Sequence, residues 1–167
     1  MRYCTAPWRL EYVKKALKMK GCVFCQALKK KDDRQSLILY RGRFNFIIIN
    51  RFPYTTGHLM VAPYRHLASF ETAPREIVAE AMELVQLALR VLKKSYRPHG
   101  FNVGLNLGQP AGAGVTGHFH IHVVPRWPGD SNFMPIIGQT RVFCEDLTST
   151  YNRLRPHFER EEKKQEK

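Results

Sequence analysis

His118-Phe119-His120-Ile121-His122-Val123-Val124-Pro125-Arg126 is the stretch from which the rest of the chain can be read. Three of the seven histidines stand here at a spacing of two. Aromatic and β-branched residues separate them, which is strand composition. Alternate side chains of a strand share a face, so the three imidazoles are expected on one side and Phe119, Ile121 and Val123 on the other. A row of imidazoles fills a core poorly. It presents nucleophiles, proton carriers or metal ligands well, because imidazole changes charge near neutral pH.

The loop before this strand, residues 108–117, carries glycines at 108, 112, 114 and 117. Glycine lets backbone N–H groups approach an anion closely. A phosphate held there would lie against the histidines. A neutral imidazole attacks phosphorus to give a phosphoramidate, which a second acceptor can open. His120, flanked on both sides, is the expected nucleophile, and His122 the group that bonds phosphoryl oxygens or carries the proton. Only 14 residues are acidic, and they form no cluster that would hold a divalent metal at the reacting centre.

Further out, the elements alternate in kind. Leu37-Ile38-Leu39-Tyr40 is expected as a strand, with a turn at Arg41-Gly42-Arg43. Residues 44–50 form a second strand, whose unbroken run Phe46-Ile47-Ile48-Ile49 implies burial on both faces. The loop at 51–57 is broken by Pro53 and Gly57. Residues 58–63 are a third strand. Residues 74–96 form the one long helix, with Ile77, Ala81, Leu84, Ala88 and Val91 at helical spacing and Val78, Val85 and Leu92 widening the stripe. Residues 101–107 are a fourth strand. A short helix is expected within 11–20, a knuckle and short helix over 22–30, a solvated turn over 29–34, and one or two helices within 140–155. Strands, a long helix, then more strands indicate an α+β fold with the helix on one sheet face.

The length of 167 residues suits one domain with a single sizeable core. No apolar run approaches the ~20 residues of a membrane helix, and no signal peptide is evident. The expectation is a cytoplasmic protein without a membrane partner. A net charge of +13 favours an anionic partner, either a phosphorylated small molecule or nucleic acid. The positive residues are spread along the chain, which points to a generally basic surface.

The four cysteines do not suggest a disulfide framework. Cys4 and Cys144 stand alone. Cys22-Val23-Phe24-Cys25 has the spacing of a metal clamp, and zinc would need two more ligands. His58, His66, His99 and His118 are candidates. The competing reading is a redox pair, but the βαβ pattern that normally carries one is missing.

Asn50-Arg51-Phe52-Pro53-Tyr54-Thr55-Thr56-Gly57-His58-Leu59-Met60-Val61-Ala62-Pro63, followed by the histidine row and Pro125-Arg126, resembles the histidine triad (HIT) superfamily of nucleotide hydrolases and transferases. Arg97-Pro98-His99-Gly100-Phe101-Asn102-Val103-Gly104-Leu105-Asn106-Leu107-Gly108 and Val123-Val124-Pro125-Arg126-Trp127-x-Gly129-Asp130-x-Asn132-Phe133 are similar to its diadenosine tetraphosphate phosphorylase branch. The resemblance covers residues 22–138. It leaves 1–21 as an N-terminal extension, 139–158 as a helical segment and 159–167 as a charged tail expected to fray.

The resemblance implies an antiparallel sheet of about five strands under one long helix, with short terminal helices. It implies phosphorolysis of dinucleoside polyphosphates through a nucleotidyl intermediate on His120, with His122 on phosphate. Asn50 would lie at the nucleoside pocket, Asn106 and residues Gly114, Val115 and Thr116 near the phosphates, and His58 would support the site. It further implies a structural zinc on Cys22, Cys25, His66 and His118, and a homodimer joined through a helix and a strand. Where related hydrolases often carry Gln-Ser or Gln-Thr, this chain reads Gly114-Val115-Thr116-Gly117. Loss of the glutamine makes room for inorganic phosphate as acceptor. The runner-up is a hydrolase of dinucleoside polyphosphates or nucleoside phosphoramidates, and the alternative of another class is a nucleotide- or nucleic-acid-binding module.

Overall fold

A computed structural model of the protein describes residues 21–130 and 145–165. Two short helices, α1 (Val23–Lys29) and α2 (Asp33–Ser36), precede strands β1 (Ile38–Arg41), β2 (Asn45–Ile49) and β3 (Leu59–Pro63). Helix α3 (Arg75–Tyr96), strands β4 (Gly100–Leu105) and β5 (Ile121–Arg126), and helix α4 (Leu147–Gln165) complete the order. The strands form one sheet in the order β1-β2-β3-β5-β4, and every pairing is antiparallel.

Burial on both faces is what the apolar run in β2 predicts. Ile47 and Ile49 join Leu59, Val61, Ile121 and Val123 in a core covered by α3 and α4. Phe46 and Ile48 join Met60 and Ala62 on the opposite face, under Phe24 and Ala27 of α1. Seven of the eight apolar residues read as the α3 stripe are buried, Val78 being the half-buried one. Pro98 disfavours a helical conformation at Arg97, which turns left-handed (φ 48°) and ends α3.

The structure corrects three sequence expectations. The charged segment at 29–34 is a turn only in part: Asp32 caps α2, its carboxylate accepting from the amides of Arg34 and Gln35. The tail expected to fray from 159 stays helical to Gln165. Asp146 caps its start, and Arg155–Glu159 and Lys164–Glu161 pairs line its second half. The histidine strand begins only at Ile121, so His118 and His120 precede the ladder. The helix expected within 11–20 lies outside the described residues, as do Cys4, Asn132, Phe133 and Cys144.

Candidate active site

Strand β5 is central, held by β3 on one side and β4 on the other. Register fixes its histidine: His122 stands between Met60 and Gly104. The segment just before the ladder is tied down separately, since the amide of Phe119 donates to the carbonyl of Leu67 (2.7 Å). His118 and His58 are fully buried, and His120 is 6% exposed. The row does share a face. The rings of His120 and His122 are 4.8 Å apart, and Phe24 lies 5.1 Å from His118 and 4.9 Å from His120. Ile121 and Val123 point into the opposite core.

Hydrogen bonds decide which nitrogen of each ring carries the proton. His120 Nδ1 lies 3.0 Å from the carbonyl oxygen of His118. A carbonyl only accepts, so Nδ1 holds the hydrogen and Nε2 keeps a free lone pair. The amide of Tyr54 donates to His58 Nδ1 (3.0 Å). His58 must then carry its hydrogen on Nε2, which lies 2.9 Å from His122 Nδ1. His122 therefore accepts on Nδ1 and donates from Nε2. One backbone amide thus sets two tautomers in series.

Burial keeps these rings neutral, because it penalises the charged form. It lowers His58 to a pKa of about 3, helped by the neighbouring His122 and His120. Burial, then proximity to His120, lowers His122 to about 4. Burial also lowers His120, against the hydrogen bond to His118 that favours its charged form. A neutral ring with a free Nε2 lone pair beside a neutral ring with an Nε2 hydrogen is the arrangement that results.

The other end of the row has a different environment. His118 Nε2 donates to the carbonyl of Pro63 (2.8 Å), leaving Nδ1 as a lone pair 3.3 Å from Cys22 Sγ and 3.8 Å from Cys25 Sγ. His66 Nδ1 lies 3.4 Å from Cys25 Sγ. The ligand atoms of Cys22, Cys25, His66 and His118 all fall within 4.8 Å of one another, and the four could hold a metal ion. Zinc bonds of ~2.0–2.3 Å in a tetrahedron put ligand atoms about 3.3–3.8 Å apart, which is the spacing of these three contacts. A carbonyl fixing the far nitrogen of a ligand histidine is the expected outer support. Of the other candidates, His58 is engaged with His122, and His99 stands at the start of β4 outside the group.

The remaining expected residues are placed as follows. Asn50 is engaged with its own loop: Oδ1 accepts from the Phe52 amide (2.9 Å) and Nδ2 lies 3.3 Å from His58 Nδ1. Asn106 follows β4 directly, one residue past the Leu105–Ile121 pair that ends the β4–β5 ladder. Gly114, Val115 and Thr116 line a cavity of about 240 Å³ with Gly21, Cys22, Val23, His66 and Gly117, so that part of the loop adjoins the metal-ligand group. Sequence reasoning missed three contributors. Phe24 packs on two histidines, the carbonyl of Pro63 orients His118, and the Tyr54 ring lies 4.8 Å from His58 and 5.9 Å from His122. Phe24 lies between the two cysteines, which was a usable signal; the other two depend on tertiary contact.

The chain is 45% identical over 130 residues to AP-4-A phosphorylase of Mycobacterium tuberculosis, covering 78% of this chain and 67% of that one. It is 31% identical over 105 residues to adenylylsulfatase HINT3 of Arabidopsis thaliana, covering 63% of this chain and 52% of that protein. Among solved structures, a Zn-bound histidine triad family protein from Mycobacterium smegmatis superposes with a TM-score of 0.68 at 26% identity, covering 89% of this chain and 99% of its own. The sequence pattern of the HIT domain matches residues 31–129, and with these relatives it makes the chain a member of the HIT family.

Proposed function

We propose that the protein is a nucleotidyltransferase that splits dinucleoside polyphosphates with inorganic phosphate. The observation that carries this reading is the pair of assigned tautomers, a free lone pair on His120 Nε2 beside a hydrogen on His122 Nε2. The 45% identity to AP-4-A phosphorylase supports the substrate class. With diadenosine tetraphosphate, His120 Nε2 forms a bond to the α-phosphorus. The bridging P–O bond breaks and its electron pair leaves with ATP, while His122 Nε2–H hydrogen-bonds the developing charge. An oxygen of inorganic phosphate then attacks the same phosphorus, the P–N bond breaks, and ADP departs with His120 restored. Asn106 and residues 114–116 are proposed to bind phosphate, and Asn50 to border the nucleoside pocket while holding His58.

Cys22, Cys25, His66 and His118 are proposed to hold a structural zinc. Four protein ligands close such a site, so the metal would brace the strand and would not activate water. A homodimer is supported by β4, an edge strand with Val103 44% exposed.

The competing reading, a HIT-type hydrolase using water in the same site, draws support from the adenylylsulfatase relative. Incubation with diadenosine tetraphosphate separates the two. ADP formed only when phosphate is supplied is the expected result; turnover without phosphate, giving AMP, would sink phosphorolysis. Cellular function retained by His120→Ala would instead favour a binding module.

A further inference from the structure

The loop 50–57 is an odd place for apolar surface. Of five large hydrophobic side chains that stand out as exposed among the described residues, two are here, Phe52 at 48% and Tyr54 at 45%. The loop that carries them is anchored at several points. Asn50 Oδ1 takes the Phe52 amide (2.9 Å), His58 takes the Tyr54 amide (3.0 Å), and the Thr55 hydroxyl donates to the carbonyl of Pro125 (2.9 Å). Gly57 has φ +75°, and a Cβ there would stand 3.2 Å from the Tyr96 ring and 3.3 Å from Leu92. Aromatic surface on a rigid loop beside reacting groups has the form of a prepared binding platform.

Its direction from the nucleophile is informative. On one side of His120 the space is taken by Phe24 and, beyond it, by His118 with the cysteines. On the other side stand His122, then His58, and over both of them the Tyr54 ring. A leaving polyphosphate must run past His122 toward Tyr54.

We propose that Tyr54 stacks on the second nucleoside, the one that departs with the polyphosphate, and so makes the site prefer two-nucleoside over one-nucleoside substrates. This rests on the function proposed above. Every base has a flat π face, so such a platform would tolerate any base there.

The test uses full-length protein carrying His120→Ala to stop turnover, and calorimetry with diadenosine tetraphosphate and adenosine tetraphosphate. These share the polyphosphate and differ in the second nucleoside. The dinucleoside should bind more tightly. Adding Tyr54→Leu should cut that preference about tenfold, within the range for one stacked base, whereas Tyr54→Phe should keep it. A preference unmoved by Tyr54→Leu, including equal weakening of both ligands, overturns the proposal and leaves the tyrosine as a prop for His58. Failure of both ligands to bind with Tyr54 present would overturn the function itself, and this inference with it.

Discussion

The two ends of the histidine row are built from the same residue type and oriented oppositely. At one end His118 gives its Nε2 hydrogen to the carbonyl of Pro63 and turns Nδ1 toward two thiols. At the other, His122 receives a hydrogen on Nδ1 from His58 and turns an Nε2 donor outward. His120 links them, because its Nδ1 donates to the backbone of His118 while its ring packs against that of His122. Identical side chains at a spacing of two thus present different nitrogens, according to the acceptor or donor each one meets. Residue identity sets the available chemistry, and the partner nitrogen or carbonyl selects from it.

The largest effect should come from the centre. His120→Ala removes the proposed nucleophile and should lower kcat about 10⁴-fold or more, with the circular dichroism spectrum and melting temperature near wild type. Full activity in that variant would remove the ring from the chemistry. The metal end should respond in the reverse sense. Cys22→Ala should lose bound zinc and several degrees of melting temperature, since such a metal contributes folding energy, while keeping kcat within about tenfold because Pro63 still orients His118. Zinc content well below half an equivalent in the wild-type protein, with stability unaffected by chelator, would refute the ligand set.

How much of this was legible in the sequence differs between the two ends. The row itself, the Cys22–Cys25 pair and the apolar run 46–49 could be read directly, because spacing and periodicity are local. Which histidines complete the metal group could not: His58, His66, His99 and His118 are equal candidates by residue type, the resemblance favours His66 and His118, and the fold brings both beside Cys25. The His58–His122 contact joins residues 64 apart and exists only because β3 and β5 pair. The late start of β5 was hidden because His118 and Phe119 have strand composition yet bond elsewhere, His118 to Pro63 and Phe119 to Leu67. The length of α4 was hidden because a charged tail looks disordered until its i,i+4 pairs are counted.

The catalytic end can be probed short of removing the nucleophile. His58→Ala deletes the donor to His122 Nδ1 and frees that ring to adopt either tautomer. A lost hydrogen bond of this kind is worth about 10- to 100-fold in kcat, with KM less affected. An unchanged kcat would show that His122 is oriented by something else. Acid should expose the same pair through stability. Both rings have folded pKa values, about 3 and about 4, below the ordinary 6.5. Between those values the unfolded chain binds more protons, so the stabilisation is fully present above pH 6.5 and is lost as pH falls toward 4. The melting temperature should drop across that window, and by less in His58→Ala. A flat profile would mean that the rings already charge in the folded protein.

The smallest effect distinguishes the ends by a single methyl group. Gly117 precedes His118, and a Cβ added there would stand 3.1 Å from His66 Nε2 and 3.5 Å from its Cε1. No positive φ requires glycine at this position, so Gly117→Ala should leave the backbone unstrained and act only by pushing the His66 ring. Gly104, which pairs with His122, has open space where its Cβ would be and serves as the control. Gly117→Ala should weaken metal retention a few-fold in a chelator competition, while Gly104→Ala should not. If the loop glycines serve only to cradle phosphate, the order reverses: Gly117→Ala would keep its metal and raise the KM for phosphate instead. The clearance at His66 argues for the first outcome, because a side chain at 117 would meet the His66 ring before anything else.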